Sequence, residues 1–550
     1  MRAIGLAVLL CAISNPARAT EYYVRNGGND ALSGRSPADA WASLTRVAGT
    51  VFLPGDVINL ERGSVWRETL VLNGAGTTAQ PITVTAYGLG PRPRIAPATV
   101  DSTCVRLNAG QGWRITGLEL ADARWGVELR YDDQRDRQGV TLDNLYIHDM
   151  TSEYNSDPEK YNYLSAAIAI RYWTSVHGVT FLRDLTVKDV AIERCNFGLW
   201  SGVICEGVTE YGEPRCDAVN GFERVGRYAF VDGFTFDRVT VTDAPQMGLS
   251  FIGFRNGWVG NSTINWVGYA GWQYGTCGGL IARSQNVTFD GLNIYNVFRG
   301  PQPFDGCGWD FEGGNDAVRF LNAEIYATDG AGIFVFDNGG NAGPNTNLWI
   351  ENVRVSHFGR NPGNTREGIL FALTSLERGS HTGTAKWSRF NDSQGQQHVA
   401  STHPGQYDTA PGAPFFLDSC EYSVVLSTNR PTGASSWVPG YEPGKAVDWN
   451  WSSTWVANGP AMPQSLWIDL GTTRAVTRIE QKFNNPSTWR VAFDGSNDGI
   501  TWVNIANWSN GIDGDLVMYN GGGMYRFIGM RVLDGAGHWA SSQEFTVMGY

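Results

Sequence analysis

The sequence predicts an all-β protein: an elongated stack of repeated coils followed by a second, differently patterned domain. Three observations carry this expectation. The 550 residues include 68 glycines and 12% aromatic residues, which suits many tight turns and broad stacking surfaces. From about residue 100 to 410 a Gly-apolar-x-apolar strand recurs with a polar turn after it, at intervals of about 22 to 36 residues, as in solenoids. After Cys420 that pattern gives way to a new one, and the chain is too long for one ordinary compact core.

The first residues, "MRAIGLAVLLCAISNPARAT", join an Arg, a short apolar run and Ala17-Arg18-Ala19. They read as a signal peptide, residues 1–19, cleaved after Ala19, so export from the cytoplasm is expected. No later apolar run reaches the roughly 18 residues of a membrane span, so no membrane insertion is expected. Eight cysteines become seven once Cys11 leaves. In an oxidising compartment Cys205 with Cys216, and Cys277 with Cys307, are plausible disulfides.

Residues 20–100 alternate short β-rich runs with Gly, Asn and Pro. Their Tyr-Tyr-Val opening, Pro54-Gly55-Asp56, Arg62-Gly63 and Tyr87-Gly88 resemble the N-terminal cap of secreted right-handed parallel β-helix proteins. That resemblance implies a parallel β-helix over residues 20–412, a scaffold that hosts hydrolases, lyases, epimerases and adhesins alike. Function therefore has to be read from the site.

Within the repeats, "GCGWDFEGGNDAVRF" (306–320) places Trp309 and Phe311 in the inward register and turns Asp310 and Glu312 together onto the outer face. Two positions along a strand separate Cα atoms by about 6.6 to 6.8 Å, a spacing compatible with the carboxyl pair of a glycosidase. Asp337 at the end of the following strand, the catalytic substitute for either acid, and Asp329 before it are expected beside this pair, with Phe334 and Phe336 as outward rings for sugar faces. Gln273 and Arg283 on preceding repeats are expected to bind hydroxyls. A calcium site, or the solvated face of a strand, are the alternative readings of the same acids. Two further segments could wall a groove: "CEGVTEYGEPRCDAV", with Glu206, Glu210, Glu213 and Asp217, and the loop carrying His148, Asp149, Tyr154 and Tyr161.

Residues 413–550 show Ala446-x-Asp448-x-Asn450-x-x-Ser453-x-Trp455, Trp467-x-Asp469-Leu470-Gly471, Trp489-Arg490-Val491, Ser496-x-Asp498-Gly499-x-x-Trp502 and Glu544-Phe545. In this order they resemble the discoidin (coagulation-factor type C) family, of which family 32 carbohydrate-binding modules are a branch; Trp449 departs from the family's usual Gly. The resemblance implies a β-sandwich of jelly-roll form and a structural calcium with Asp448, Ser453 and Glu544 as side-chain ligands. Trp437 and Trp539 are candidates for sugar contact. No organic cofactor is implied.

A net charge of −12 argues against a nucleic-acid partner, which calls for a basic stripe. The expected partner is a poly- or oligosaccharide, and the expected activity is that of a secreted glycoside hydrolase. A uronate-directed polysaccharide lyase with an arginine base, Arg283 or Arg299, and a non-catalytic adhesin are the alternatives. Oligomeric state is not encoded in these motifs.

Overall fold

A computed structural model describes residues 19–549 except 132–134, 152–164, 173, 176–177, 180–181, 204–230, 271–274, 300–304, 338–342, 362–364, 375–378, 391–396, 404–405, 423, 428–429, 449–452 and 510–513. The expected leader and the Cys205–Cys216 loop with its acids therefore lie outside the described residues, Ala19 excepted. Two compact units are present, residues 1–241 with 254–257, and 242–253 with 258–550. Among the described residues no helix is long and apolar enough to cross a membrane.

In the N-terminal unit each coil gives a strand to each of three parallel ladders. One runs Leu70–Leu72, Thr103–Asn108, Trp125–Tyr131, Ala166–Tyr172, Phe197–Val203. A second starts at Glu21–Val24 and passes through Val57–Glu61, Ile82–Tyr87, Trp113–Thr116 and Arg137–Asp143. The third takes Val65–Trp66, Arg94–Ile95, Glu119–Ala123 and Tyr146–Met150, and the long strand Leu182–Cys195 pairs into both of these ladders. Parallel pairing with inward Val, Ile and Leu at every coil is the parallel β-helix the repeats predict. At its start a short helix, Leu44–Ala48, buries Leu44 and Val47 beside Trp41, which stacks on Tyr22. Ser43 caps this helix by accepting from the Arg46 N–H at 3.1 Å.

The C-terminal unit continues the same plan. Its first ladder is Met247–Ile252, Thr276–Ala282, Asp305–Glu312, Ile333–Phe336, Glu367–Ala372, Gln397–Ser401. Glycines mark the start of these strands for a steric reason. A Cβ on Gly278, Gly308, Gly332 or Gly368 would come within 2.4 to 2.8 Å of the carbonyl oxygen of the next coil (Gly308, Gly332, Gly368 and His398 respectively). Only glycine lets successive coils approach to ladder spacing there.

The parallel ladders run on through Phe415–Asp418 and Glu421–Tyr422, past the expected break at 412/413. Apolar Phe415 and Leu417 complete a last coil that the polar stretch before them had concealed. Beyond it all pairing among the described residues is antiparallel. Gln464–Ser487 pairs with Gly514–Asp534 and Glu544–Gly549, and Arg490–Ser496 pairs with Val503–Ser509 and Gly514–Asp534. Trp455, Phe483, Trp489, Phe493 and Phe545 fill the core of this β-sandwich, with Phe483 and Trp489 stacked at 4.1 Å.

Candidate functional site

The strand Asp305–Glu312 alternates as its composition requires. Trp309 and Phe311 are fully buried, Trp309 against Phe289 at 4.6 Å and Phe311 against Phe320 at 5.9 Å. Opposite parity turns Asp310 and Glu312 to the outer face, where Glu312 is half-buried and Asp310 is only 4% exposed. Along the ladder Asp310 stands between Leu280 of the preceding coil and Phe334 of the next, and Glu312 beside Phe336. Phe334 and Phe336 are half-buried and their rings are stacked, centroids 5.1 Å apart at 10°. The two acids and the two rings are thus one contiguous patch. Arg283 directly follows the preceding strand, its backbone N–H donating to Gly313 O at 2.9 Å, which puts it at the Glu312 end.

Two expected members of that patch are corrected. Asp337 is fully buried, and its carboxylate accepts from Thr374 N at 3.0 and 3.1 Å and from Thr374 Oγ1 at 2.8 Å. It ties one strand end to the next coil and is not an outward acid. Asp329 lies five residues before Phe334, beyond the start of the strand, where it pairs with Arg360 at 3.0 Å and accepts from Arg299 N at 3.0 Å. Gln273 lies outside the described residues.

Cys277 and Cys307 are register partners on adjacent strands, as a bridge would need, yet both are buried thiols.

A buried polar ladder, absent from the sequence expectations, braces the strand ends beneath the patch. Asn315 donates to Ile281 O at 2.9 Å and to Asn345 Oδ1 at 2.7 Å, and Asn345 donates to Phe311 O at 2.9 Å and to Phe336 O at 3.0 Å. The Asn345 N–H then donates to His381 Nδ1 at 3.1 Å, and His381 Nε2 donates to Ala372 O at 3.0 Å. Burial pushes the His381 imidazole below its ordinary range, in keeping with a neutral ring that accepts on one side and donates on the other. One further acid was missed: Glu367, at the start of a neighbouring strand, is pushed up by burial.

In the N-terminal unit, His148 and Asp149 occupy a strand, not a loop. His148 lies 2.6 Å from Asp149 and 3.3 Å from Glu119. Arg194 forks onto Asp149 at 2.6 and 3.1 Å, and that hydrogen bonding holds the carboxyl down at about 2. Tyr154 and Tyr161 lie outside the described residues. A second carboxylate that the sequence reading passed over, Glu128, is buried between Arg106 at 2.8 Å and Arg171 at 2.6 Å. Burial alone would raise it, but the two guanidinium groups bring it below the ordinary value. The alternation of "WGVELRY" already placed it on the face opposite Val127 and Leu129.

In the sandwich, Ser453 Oγ lies 2.9 and 2.8 Å from the two Asp448 carboxylate oxygens and 3.2 Å from Lys445 O. Trp455 pairs with Ser542 and Val456 with Ser541 in antiparallel register, so the continuation brings Ser453 opposite the buried Glu544. Of the three expected calcium ligands, Asp448 and Ser453 are in contact, and all three offer only oxygen donors, which suits a hard cation. Among the described residues no group of three or more His, Cys, Asp or Glu gathers as a metal cradle, so a cation would also need hydroxyl and carbonyl oxygens. Trp437 and Trp539 are 46% and 45% exposed. Hydrogen bonds from Val438 N to Val456 O and from Ala457 N to Ala540 O set their loops on either side of the same short strand.

No family model matches the chain. Among known proteins it is similar to a lacto-N-biosidase of Bifidobacterium longum subsp. longum, 28% identical over 244 residues; the match covers 31% of this chain and only 15% of that protein. A solved GH136 lacto-N-biosidase from Eubacterium ramulus is 15% identical and covers 73% of this chain and 68% of its own, with a TM-score of 0.46. The family 32 carbohydrate-binding module of Clostridium perfringens NanJ, solved with galactose, is 20% identical over 23% of this chain and 98% of its own, with a TM-score of 0.21. A chitosan-binding module solved with chitotriose, from a Paenibacillus chitosanase/glucanase, is 26% identical over 22% of this chain and 98% of its own, with a TM-score of 0.21.

Proposed function

We propose that this chain is a secreted glycoside hydrolase that cleaves an oligo- or polysaccharide on the outer face of its β-helix. The observation that carries the reading is the patch formed by Asp310, Glu312, Phe334 and Phe336. Asp310, the more buried acid, set between Leu280 and Phe334, protonates the departing glycosidic oxygen; acids in this role are held in the more apolar surroundings of a pair. Glu312 acts as base on a water or as nucleophile, at a Cα spacing of about 6.6 to 6.8 Å that accommodates both routes. The stacked Phe rings meet the apolar face of a sugar, and Arg283 binds hydroxyls at the Glu312 end. The stretch shared with a lacto-N-biosidase supports an oligosaccharide substrate.

The C-terminal domain, in this reading, holds the enzyme on its substrate through Trp437 and Trp539 and raises the local substrate concentration. Asp448, Ser453 and Glu544 hold a structural calcium there.

An oligosaccharide and polysaccharide panel, followed by reducing-end release together with ultraviolet absorbance, tests the proposal. New reducing ends without an ultraviolet band are expected, and Asp310→Asn and Glu312→Gln each slow release by about 100-fold or more, the scale of general acid–base catalysis. An unsaturated product assigns the chain to the lyases. Full activity in both variants removes the acids from the chemistry.

A further inference from the structure

A different edge of the C-terminal unit's coils carries an unusual run of rings. Four parallel strands, Thr263–Val267, Asn293–Val297, Glu324–Thr328 and Arg354–Ser356, stack in register with Asn265, Tyr295, Tyr326 and Ser356 in one outward row. Next to that row each coil turns through one left-handed residue: Trp266 (φ 61°), Asn296 (φ 52°), Ala327 (φ 61°) and His357 (φ 55°). Asn is at home in this conformation. An indole is not, since the left-handed region strains a bulky side chain.

Trp266 does not offset that strain by burial, since it is 49% exposed. It meets Phe298 of the next coil at 4.7 Å, Arg360 covers the Phe298 ring at 5.1 Å and is itself paired to Asp329, and Tyr326 lies 4.5 Å from His357. Hydrogen-bonding groups are interleaved with the rings: Asn296 donates to Asn265 at 3.0 Å, and Tyr295 donates to Glu324 at 3.2 Å. Among the described residues of the coils from 258 to 422, the exposed large hydrophobic side chains are Trp266, Tyr269, Tyr326 and Trp387, all aromatic and none aliphatic.

We propose that this edge is a second glycan-binding strip, which holds an extended carbohydrate chain along the stack on a ladder separate from that of Asp310. Rings alternating with amide, carboxylate and guanidinium groups suit pyranoses, which present an apolar C–H face and a rim of hydroxyls; a protein partner would be met by aliphatic side chains as well. The coil spacing of about 4.8 Å repeats this chemistry along a line, so a polymer gains where a single sugar does not. The inference rests on the protein being glycan-directed, and its test is kept apart from catalysis.

The test uses the full chain carrying Asp310→Asn, Trp437→Ala and Trp539→Ala, which silences the proposed cleavage and the C-terminal tryptophans, on immobilised galactan, chitosan and mucin glycans. Retention on at least one polymer is expected, with a tenfold or greater loss on adding Trp266→Asn, a residue the left-handed turn accepts, and a similar loss with Tyr326→Ala. An unchanged melting midpoint in Trp266→Asn shows that the loss is not unfolding. Absence of retention on all three polymers, or retention indifferent to Trp266, overturns the strip. A dimer in light scattering that Trp266→Asn converts to monomer assigns the edge to a second copy and overturns it equally. Cleavage of a short soluble oligosaccharide by the chain bearing Trp266→Asn alone is expected to be unchanged, so failure of the strip and failure of the hydrolase reading give different results.

Discussion

At the scale of single residues, strand parity did most of the work. "GWDFEGG" assigns Trp309 and Phe311 to the core and Asp310 and Glu312 to the face, and the structure has that arrangement, with Phe334 and Phe336 alongside. Asp337 and Asp329 could not be read in the same way. What decides Asp337 is Thr374 on the next coil, and what decides Asp329 is Arg360, and no local pattern announces a partner more than 30 residues away. The buried histidines are equally silent in sequence, and they carry a prediction. Burial, with the Arg478 guanidinium as a lesser cause, depresses His398 to about 4, and burial lowers His381 as well. A depressed histidine binds its proton more readily in the unfolded chain, so its contribution is complete above the unfolded value of about 6.5 and is lost as pH falls toward 4. For His398 the full loss is on the order of 3 kcal/mol. Urea denaturation at pH 7.5 and 4.5 is expected to show His398→Gln with a markedly smaller acid destabilisation than the parent, and equal losses would dismiss the account.

At the scale of elements, the repeat was legible because sterics write it into the sequence. A glycine precedes each inward pair because the next coil's carbonyl occupies the place of a Cβ, so the Gly-apolar-x-apolar signature follows from ladder packing. Gly308→Ala puts a methyl 2.4 Å from Ile325 Cγ2 and 2.6 Å from Gly332 O. It is expected to destabilise the chain by about 1 to 3 kcal/mol, as overpacking does, and to slow cleavage by displacing Asp310 two positions on. A denaturation midpoint and rate matching the parent would show that the coil absorbs the methyl. The Asn315–Asn345–His381 ladder escaped notice because its members lie in turns at irregular intervals, where asparagine ordinarily signals only a turn.

At the scale of the whole molecule, the change from parallel to antiparallel pairing separates the two architectures, and composition located it only approximately. The polar, Gly- and Pro-bearing stretch before Phe415 reads as a late irregular coil and linker, yet a further coil follows it to Tyr422. The sandwich was recognisable from motifs spread over its length, and two of their members, Asp448 and Ser453, are in contact. A calcium ion bound there, as proposed, would stabilise the folded chain by mass action, so chelation with EDTA is expected to lower one melting transition and added calcium to restore it. Glu544→Gln removes that response. A melting curve indifferent to EDTA would take the ion out of the account.

The glycine column also says how this protein can change over time. A coil carrying its glycine, its inward pair and its outward pair docks on both neighbours through backbone geometry alone, so length can be gained or lost in whole turns while the surrounding chemistry stays in place. A single residue inserted within Asp305–Glu312 has the opposite effect: it sends the acids inward and the aromatic core out to solvent. Inheritance along this half of the chain is therefore quantised. Duplications of a full coil are tolerable, outward substitutions are cheap to try, and frame slips within a strand are lethal to fold and site together.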